Sequence, residues 1–184
     1  MGVTGPKAKT PYYAITRKGA KVSQIIQDRV KDNARSISGS VLHGHHAYEA
    51  FDYLGHYHHQ ITLIEEDDKR EFLGWHSPGL NKFSLKNIYV SKLLPTKKFA
   101  LGSSTHGSAR AMVPVGCFEA VNPMDILPTQ LLRALLSKDT DSVQELGGLE
   151  LAEEDMGLFT FVSPGKTDFG PILRENLTQI EREG

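Results

Sequence analysis

Six of the eight histidines in this 184-residue chain fall within residues 41–61: His43, His45, His46, His56, His58 and His59. Imidazoles at that density suggest either metal ligation or acid–base catalysis. A zinc ion needs three or four ligands converging at about 2 Å. If 56–59 is a strand, His56 and His58 share one face and His59 points the other way. His43, His45 and His46 flank a glycine and read as loop. Two histidines on a strand edge, with no acid or thiol beside them, make a poor cation site. A single cysteine, Cys117, rules out a cysteine cage and an internal disulfide. The expectation is a polar, half-solvated sheet edge that holds no metal.

Other groupings have the right residue types but the wrong context. Gly165-Lys166-Thr167 matches the tail of a phosphate-binding loop, but the required first glycine would fall at Thr160, and the segment follows a helical stretch rather than a strand. Ser103, Ser104, His106 and Ser108 offer hydroxyls and an imidazole without an orienting acid, so they read as loop. Glu153, Glu154 and Asp155 suit a solvated helix start, where negative charge is favoured. Asn176-Leu177-Thr178 is a glycosylation sequon without a secretory context. No catalytic, cofactor-binding or metal-ligating residue is assigned.

Hydrophobic residues make up 39% and charged residues 23%, with a net charge of −1, a globular profile. Lys97-Lys98 is only a pair, so nucleic acid is not an expected partner. No apolar run approaches the roughly 18 residues a membrane span needs, and the N-terminus lacks the apolar core of a signal peptide. "GVTGPKAKTPYY" starts no element, so residues 1–11 read as a linker from a missing N-terminal domain, with Met1 added to a chain cut from something longer.

The first half alternates short strands with a helix: a strand at "YYAITR", a helix around "KVSQIIQDRV", then strands at "ARSISGSVL", "HQITLIEE" and "REFLGWH", the last two joined by "EEDDK". From residue 109 the pattern turns helical. Leu127, Leu131 and Leu135 stand four apart, with Leu132 and Leu136 beside them, and Pro128 suits a first turn. Asp141 and Gln144 have capping-box spacing, with Gly147-Gly148 as the stop. Leu173, Leu177 and Ile180 outline a last helix begun near Asp168 and Pro171. The expected class is α+β: an α+β module over 12–95, then a connector and helical domain over 96–184.

Residues 5–184 resemble the C-terminal part of the A-subunits of the Na⁺-translocating NADH:quinone oxidoreductases. The stretches that carry the resemblance are "ISGSVL", "YLGHYHHQITLIEE", "FLGWHSPGLNKFS", "GSARAMVPVG", "PMDILPTQLLRALLSKDTDSVQELGGLEL" and "SPGKTDFGPILRENLTQIEREG". The resemblance implies an SLBB-type, β-grasp-like module in the first half. The second half is similar to the helical ferredoxin region of the related Rnf complex, where two cysteine quartets hold iron–sulfur clusters. Here Met112, Val115, Phe118 and Asn122 align with one quartet and Glu153, Met156, Phe159 and Ser163 with the other, and none is cysteine. Apolar residues at five of these positions are expected to fill the cluster's space, and Asn122 and Ser163, each before a proline, to shape turns.

The resemblance further implies a peripheral subunit on the cytoplasmic side of a bacterial inner membrane, in a complex that passes electrons from NADH through flavins and iron–sulfur centres to quinone and pumps Na⁺. On that reading the region carries no cofactor, docks to other subunits including membrane-embedded ones, and is inactive alone. The rival expectation is a quinone-binding module, with the quinone held on the β-grasp face or in a groove beside Phe72 and Trp75.

Overall fold

The computed structural model describes residues 1–67, 72–84 and 87–183, and the backbone but not the side chain of Trp75. The chain forms two compact units, residues 1–106 and 107–184.

The first unit is built on a five-stranded mixed sheet in the order β2-β1-β5-β3-β4. Its strands are β1 (Gly2–Thr4), β2 (Tyr12–Tyr13), β3 (Ala34–Ser38), β4 (His45–His46) and β5 (Gln60–Glu65). Strands β1 and β5, first and last in the chain, run parallel at the centre, and the remaining pairs are antiparallel. Helix α1 (Val22–Ile26) crosses between β2 and β3. This is a mixed sheet with a helix, the α+β class expected of the first half. Residues 61–64 of β5 are all buried, so "ITLI" is covered on both faces rather than alternating, with the Thr62 hydroxyl satisfied by a backbone carbonyl. Ile61 and Leu63 join Val3, Val22, Ala47 and Leu54 in one core cluster.

Several local expectations are corrected here. The segment read as a linker contributes β1, which a propensity reading misses because its three residues are held by pairing with β5 some sixty positions away. The "YYAITR" strand shrinks to Tyr12–Tyr13. The strand expected at "REFLGWH" is absent over 72–76, where the chain makes a turn and a 3₁₀ helix (Gly74–His76); 70 and 71, and part of the "EEDDK" connection, lie outside the described residues. Residues 102–103 return to the sheet instead: Gly102 bridges Glu65, and the Ser103 N–H donates to the Glu65 carbonyl at 2.9 Å. The compact first unit therefore extends to residue 106, past the boundary expected at 95.

An ion pair locks that edge. Arg35 Nε and Nη2 donate to the two Glu66 carboxylate oxygens at 2.6 and 2.7 Å, and Ser103 Oγ donates to Glu66 Oε1 at 2.9 Å. The Arg35 hydrogen bond, followed by that of Ser103, holds the Glu66 carboxyl below its ordinary value of 4.5. A carboxyl whose folded pKa is depressed contributes stability that is complete above its unfolded pKa and is lost as pH falls through the folded one. Wild-type stability should therefore decline below pH 4.5, while Glu66→Gln, less stable at neutral pH, should lose less on acidification. Urea unfolding midpoints at pH 7 and pH 3.5 measure the difference; equal pH slopes for both chains would refute it.

The second unit is helical: α2 (Cys117–Val121), α3 (Pro128–Ser137), α4 (Thr140–Glu145), α5 (Gly157–Val162) and α6 (Phe169–Glu183). Pro128 opens α3, where its missing N–H costs nothing. Leu131, Leu132 and Leu135 are fully buried, whereas Leu127 and Leu136 are exposed, so the apolar stripe is narrower than its sequence suggests. Helix α4 is capped by Asp139, which accepts the Ser142 N–H, and not by Asp141. Phe118 is the hub of the core, edge-on to Phe159 at 6.3 Å and to Phe169 at 5.9 Å between ring centres. Leu173 is buried and Leu177 and Ile180 pack against the same core, as the last helix's pattern predicts. Among the described residues no helix is long and apolar enough to cross a membrane.

Candidate functional site

The histidine-rich stretch folds into a corner at the end of β3. Ser38, the last residue of that strand, is fully buried. Its Oγ accepts the Gly55 N–H at 2.9 Å and lies 2.9 Å from His58 Nδ1. The bonds are satisfied together when the hydroxyl proton goes to an unprotonated Nδ1. His43 and His45 lie against the His58 ring, with centroids 5.9 and 5.5 Å away.

Glycines make the corner possible. A Cβ on Gly55 would sit 2.5 Å from His58 Nδ1, and one on Gly44 would sit 2.4 Å from Ile37 Cγ2 and 2.5 Å from the Ser40 carbonyl. Gly39, at φ +101°, turns the chain out of β3, and its carbonyl accepts Thr62 Oγ1–H at 2.8 Å.

The other histidines go elsewhere. His46 stacks against Tyr48 at 4.7 Å, His56 lies 3.4 Å from Lys18 Nζ, and His59 is exposed. Two expectations are thereby corrected. His56 and His58 do not share a strand face, because 56–59 precede β5 as a turn and irregular chain. His45 and His46 are not loop but form β4, paired with Ser38 and Ile37. A serine–histidine contact is also the start of a nucleophile–base pair, but here Ser38 is buried and its oxygen already accepts a backbone N–H. Substrate has no route to it, and a nucleophile must be reached to act. The corner ties the 53–58 loop to β3. Among the described residues no group of three His, Cys, Asp or Glu side chains could hold a metal ion.

The remaining sequence candidates are not brought together. Ser103 serves the Glu66 ion pair, and Ser104 Oγ accepts the His106 N–H at 3.2 Å within its own turn. Gly165-Lys166-Thr167 follows helix α5, and the Gly165 carbonyl accepts the Arg110 N–H at 2.8 Å. Asp155 caps the 3₁₀ turn by accepting the Ala152 N–H at 2.8 Å, and Glu153 pairs with Arg174. Phe72 is 93% exposed, and the Trp75 side chain of the expected groove lies outside the described residues.

Of the eight cluster-aligned positions, Phe118, Met156 and Phe159 are fully buried and Met112 packs against the core. Asn122 and Ser163 make turns: Asn122 Nδ2 donates to the Met124 and Ile126 carbonyls, and Ser163 Oγ accepts the Thr167 N–H. Glu153 is exposed, and so is Val115, at 40%, which corrects its expected place as core filling.

Sequence reasoning missed Asn176. The sequon asparagine is buried, and its Nδ2 donates to the Leu135 carbonyl at the end of α3 and to the Ile172 carbonyl. It is an internal link between α6 and α3, unavailable to a glycan. The signal was present, since position 176 lies three residues after Leu173 and one before Leu177, beside the apolar stripe of α6.

Residues 2–49 match the model of the family described as the NQRA C-terminal domain. Three relatives align with the whole chain, and each is named as the A-subunit of a Na(+)-translocating NADH-quinone reductase. The protein from Alcanivorax borkumensis is 56% identical over 185 residues, that from Rhodopirellula baltica 54% over 186, and that from Pseudomonas aeruginosa 50% over 185. The chain spans 41–42% of the length of these relatives.

Proposed function

We propose, from the chain's membership of the A-subunit family of the Na⁺-translocating NADH-quinone reductases, that it is a cofactor-free docking and orienting part of a peripheral subunit in such a complex. The observation that carries this reading is the match over the whole chain at 56% identity. The chemistry within the chain agrees with it. The serine of the serine–histidine contact described above is buried, and the glycine-lysine-threonine tail stands after a helix rather than a strand. NADH, flavin and iron–sulfur sites belong, on this reading, to other parts of the complex, and the chain contacts neighbouring subunits on the cytoplasmic face.

We read the helical unit as a ferredoxin-like frame whose cluster space is filled by side chains. The burial of Phe118, Met156 and Phe159 supports this, and the exposure of Val115 limits the refilled region to the rest of the set. A frame that outlasts its cofactor is kept for the surface it presents.

The test is reconstitution with membranes that contain the other subunits but lack the A-subunit. The expected result is retention of this chain through a salt wash, without restored quinone reductase activity. Failure to bind would move the docking role to the remainder of the full-length protein, and restored activity would overturn the cofactor-free reading.

A further inference from the structure

Beyond β2 the chain continues to residue 17 and turns at Lys18-Gly19. Tyr12 faces inward, its hydroxyl donating to the Ile25 carbonyl at 2.6 Å and its ring 4.3 Å from the Arg29 guanidinium. Tyr13 and Ile15 are 92% and 106% exposed, so two large apolar side chains, two residues apart, stand almost wholly in solvent. Beside them runs an open groove whose other wall includes Ile25, Gln27, Asp28 and Arg29. Arg17 and Lys18 line an adjoining hollow.

The surroundings of this tip are cationic. Between residues 7 and 31 lysine and arginine occur seven times and acidic residues once, at Asp28. Lys7 is tied to Glu65, while Arg17, Lys18, Lys21 and Arg29 are in no ion pair among the described residues. Exposed apolar side chains normally need no explanation when scattered singly. Two on one short stretch of strand end, flanked by cations that make no ion pair among the described residues, are a different pattern.

We propose that this tip docks on an anionic lipid bilayer, with Tyr13 and Ile15 entering the headgroup boundary and Arg17, Lys18 and Arg29 facing lipid phosphates. The charge complementarity is direct, and the small apolar area, two side chains, favours lipid over protein. A stable protein interface buries about 800 Å² on each partner, far more than two side chains supply. A bilayer needs no matching shape, only shallow apolar insertion and positive charge. Each basic residue held at an anionic surface raises partitioning about fivefold, so a handful suffices for reversible attachment. The proposal rests on the tip's geometry and charge, and does not depend on the family to which the chain belongs.

The experiment is co-sedimentation of the whole chain with vesicles of phosphatidylcholine alone and of phosphatidylcholine containing one-third phosphatidylglycerol. Binding is expected to the anionic vesicles only, and to weaken as salt is added. Ile15→Asp should reduce it about tenfold or more, by removing the apolar insertion and adding a repelled charge. Arg17→Glu/Lys18→Glu should reduce it about 25-fold or more. Lys97→Glu/Lys98→Glu, with the same change in net charge on a different segment, should leave most of it. All of these positions are at least partly exposed and none joins a core cluster, so circular dichroism should show every variant folded. No binding to anionic vesicles would overturn the proposal. So would binding that Ile15→Asp leaves intact, or an equal loss from the Lys97/Lys98 pair, since either would mean diffuse attraction without a tip.

Discussion

Phe159→Ala should destabilise the helical unit by about 3–5 kcal/mol, the range for a fully buried phenylalanine cut back to a methyl. Phe159 is completely buried and lies edge-on to Phe118, which in turn lies edge-on to Phe169. The substitution removes the transfer free energy of a ring and leaves Phe118 facing a void that the surrounding helices close only in part. For a unit of this size the loss corresponds to a fall in Tm of about 12 °C or more. Glu153→Ala is the matched control. It sits three residues before Met156, but its side chain is exposed and, among the described residues, pairs with the exposed Arg174, so it should change little. Thermal unfolding followed by circular dichroism decides the matter. An unchanged midpoint for Phe159→Ala would mean that this aromatic triad is not what holds the helices together.

Gly5→Ala should destabilise the first unit by about 3 kcal/mol or more. Gly5 has φ +118°, which L side chains rarely adopt, and a Cβ there would lie 2.2 Å from the Leu63 carbonyl oxygen and 2.8 Å from the Leu63 nitrogen. Those atoms are backbone of the central strand β5 and cannot swing aside. Relief requires β1 to move off β5, which opens the parallel pair at the middle of the sheet. Gly19→Ala separates clash from conformation: Gly19 also has a positive φ, +68°, but nothing lies within 4 Å of its Cβ position. Its cost should be only the left-handed strain, about 1–2 kcal/mol. Denaturant midpoints that fall equally for the two variants would contradict the close approach at Leu63.

What could be read from the sequence divides by the range of the interactions. The amphipathic helix α6, the proline that opens α3 and the buried strand "ITLI" are local patterns, and all three stand where the pattern puts them. Strands β1 and β4 are not local. "GVT" and "HH" have neither length nor alternation, and become strands only because β5 and β3 supply partners. The same reason misplaced the histidines: a strand rule sorts His56 and His58 by parity, whereas their positions are set by Ser38, twenty residues before His58, and by Lys18. The "REFLGWH" segment has strand composition, yet the edge at Glu65 is taken by Gly102 instead. Asp139 wins the α4 cap over Asp141 because its carboxylate reaches both the N–H and the hydroxyl of Ser142. Asn176 was hidden by its own type, because asparagine in a sequon suggests surface, and only the carbonyls of Leu135 and Ile172 show why it is inside.

The central claim, that this chain docks and orients without carrying a cofactor, is tested most directly by a structure of an intact complex, containing the full-length protein with quinone and NADH bound. The account predicts that the region corresponding to residues 1–184 touches at least one neighbouring polypeptide of the complex, and that no nicotinamide, flavin, cluster or quinone is held by any of its residues. A quinone or flavin seated within this region, or a region that contacts only its own polypeptide, would contradict it.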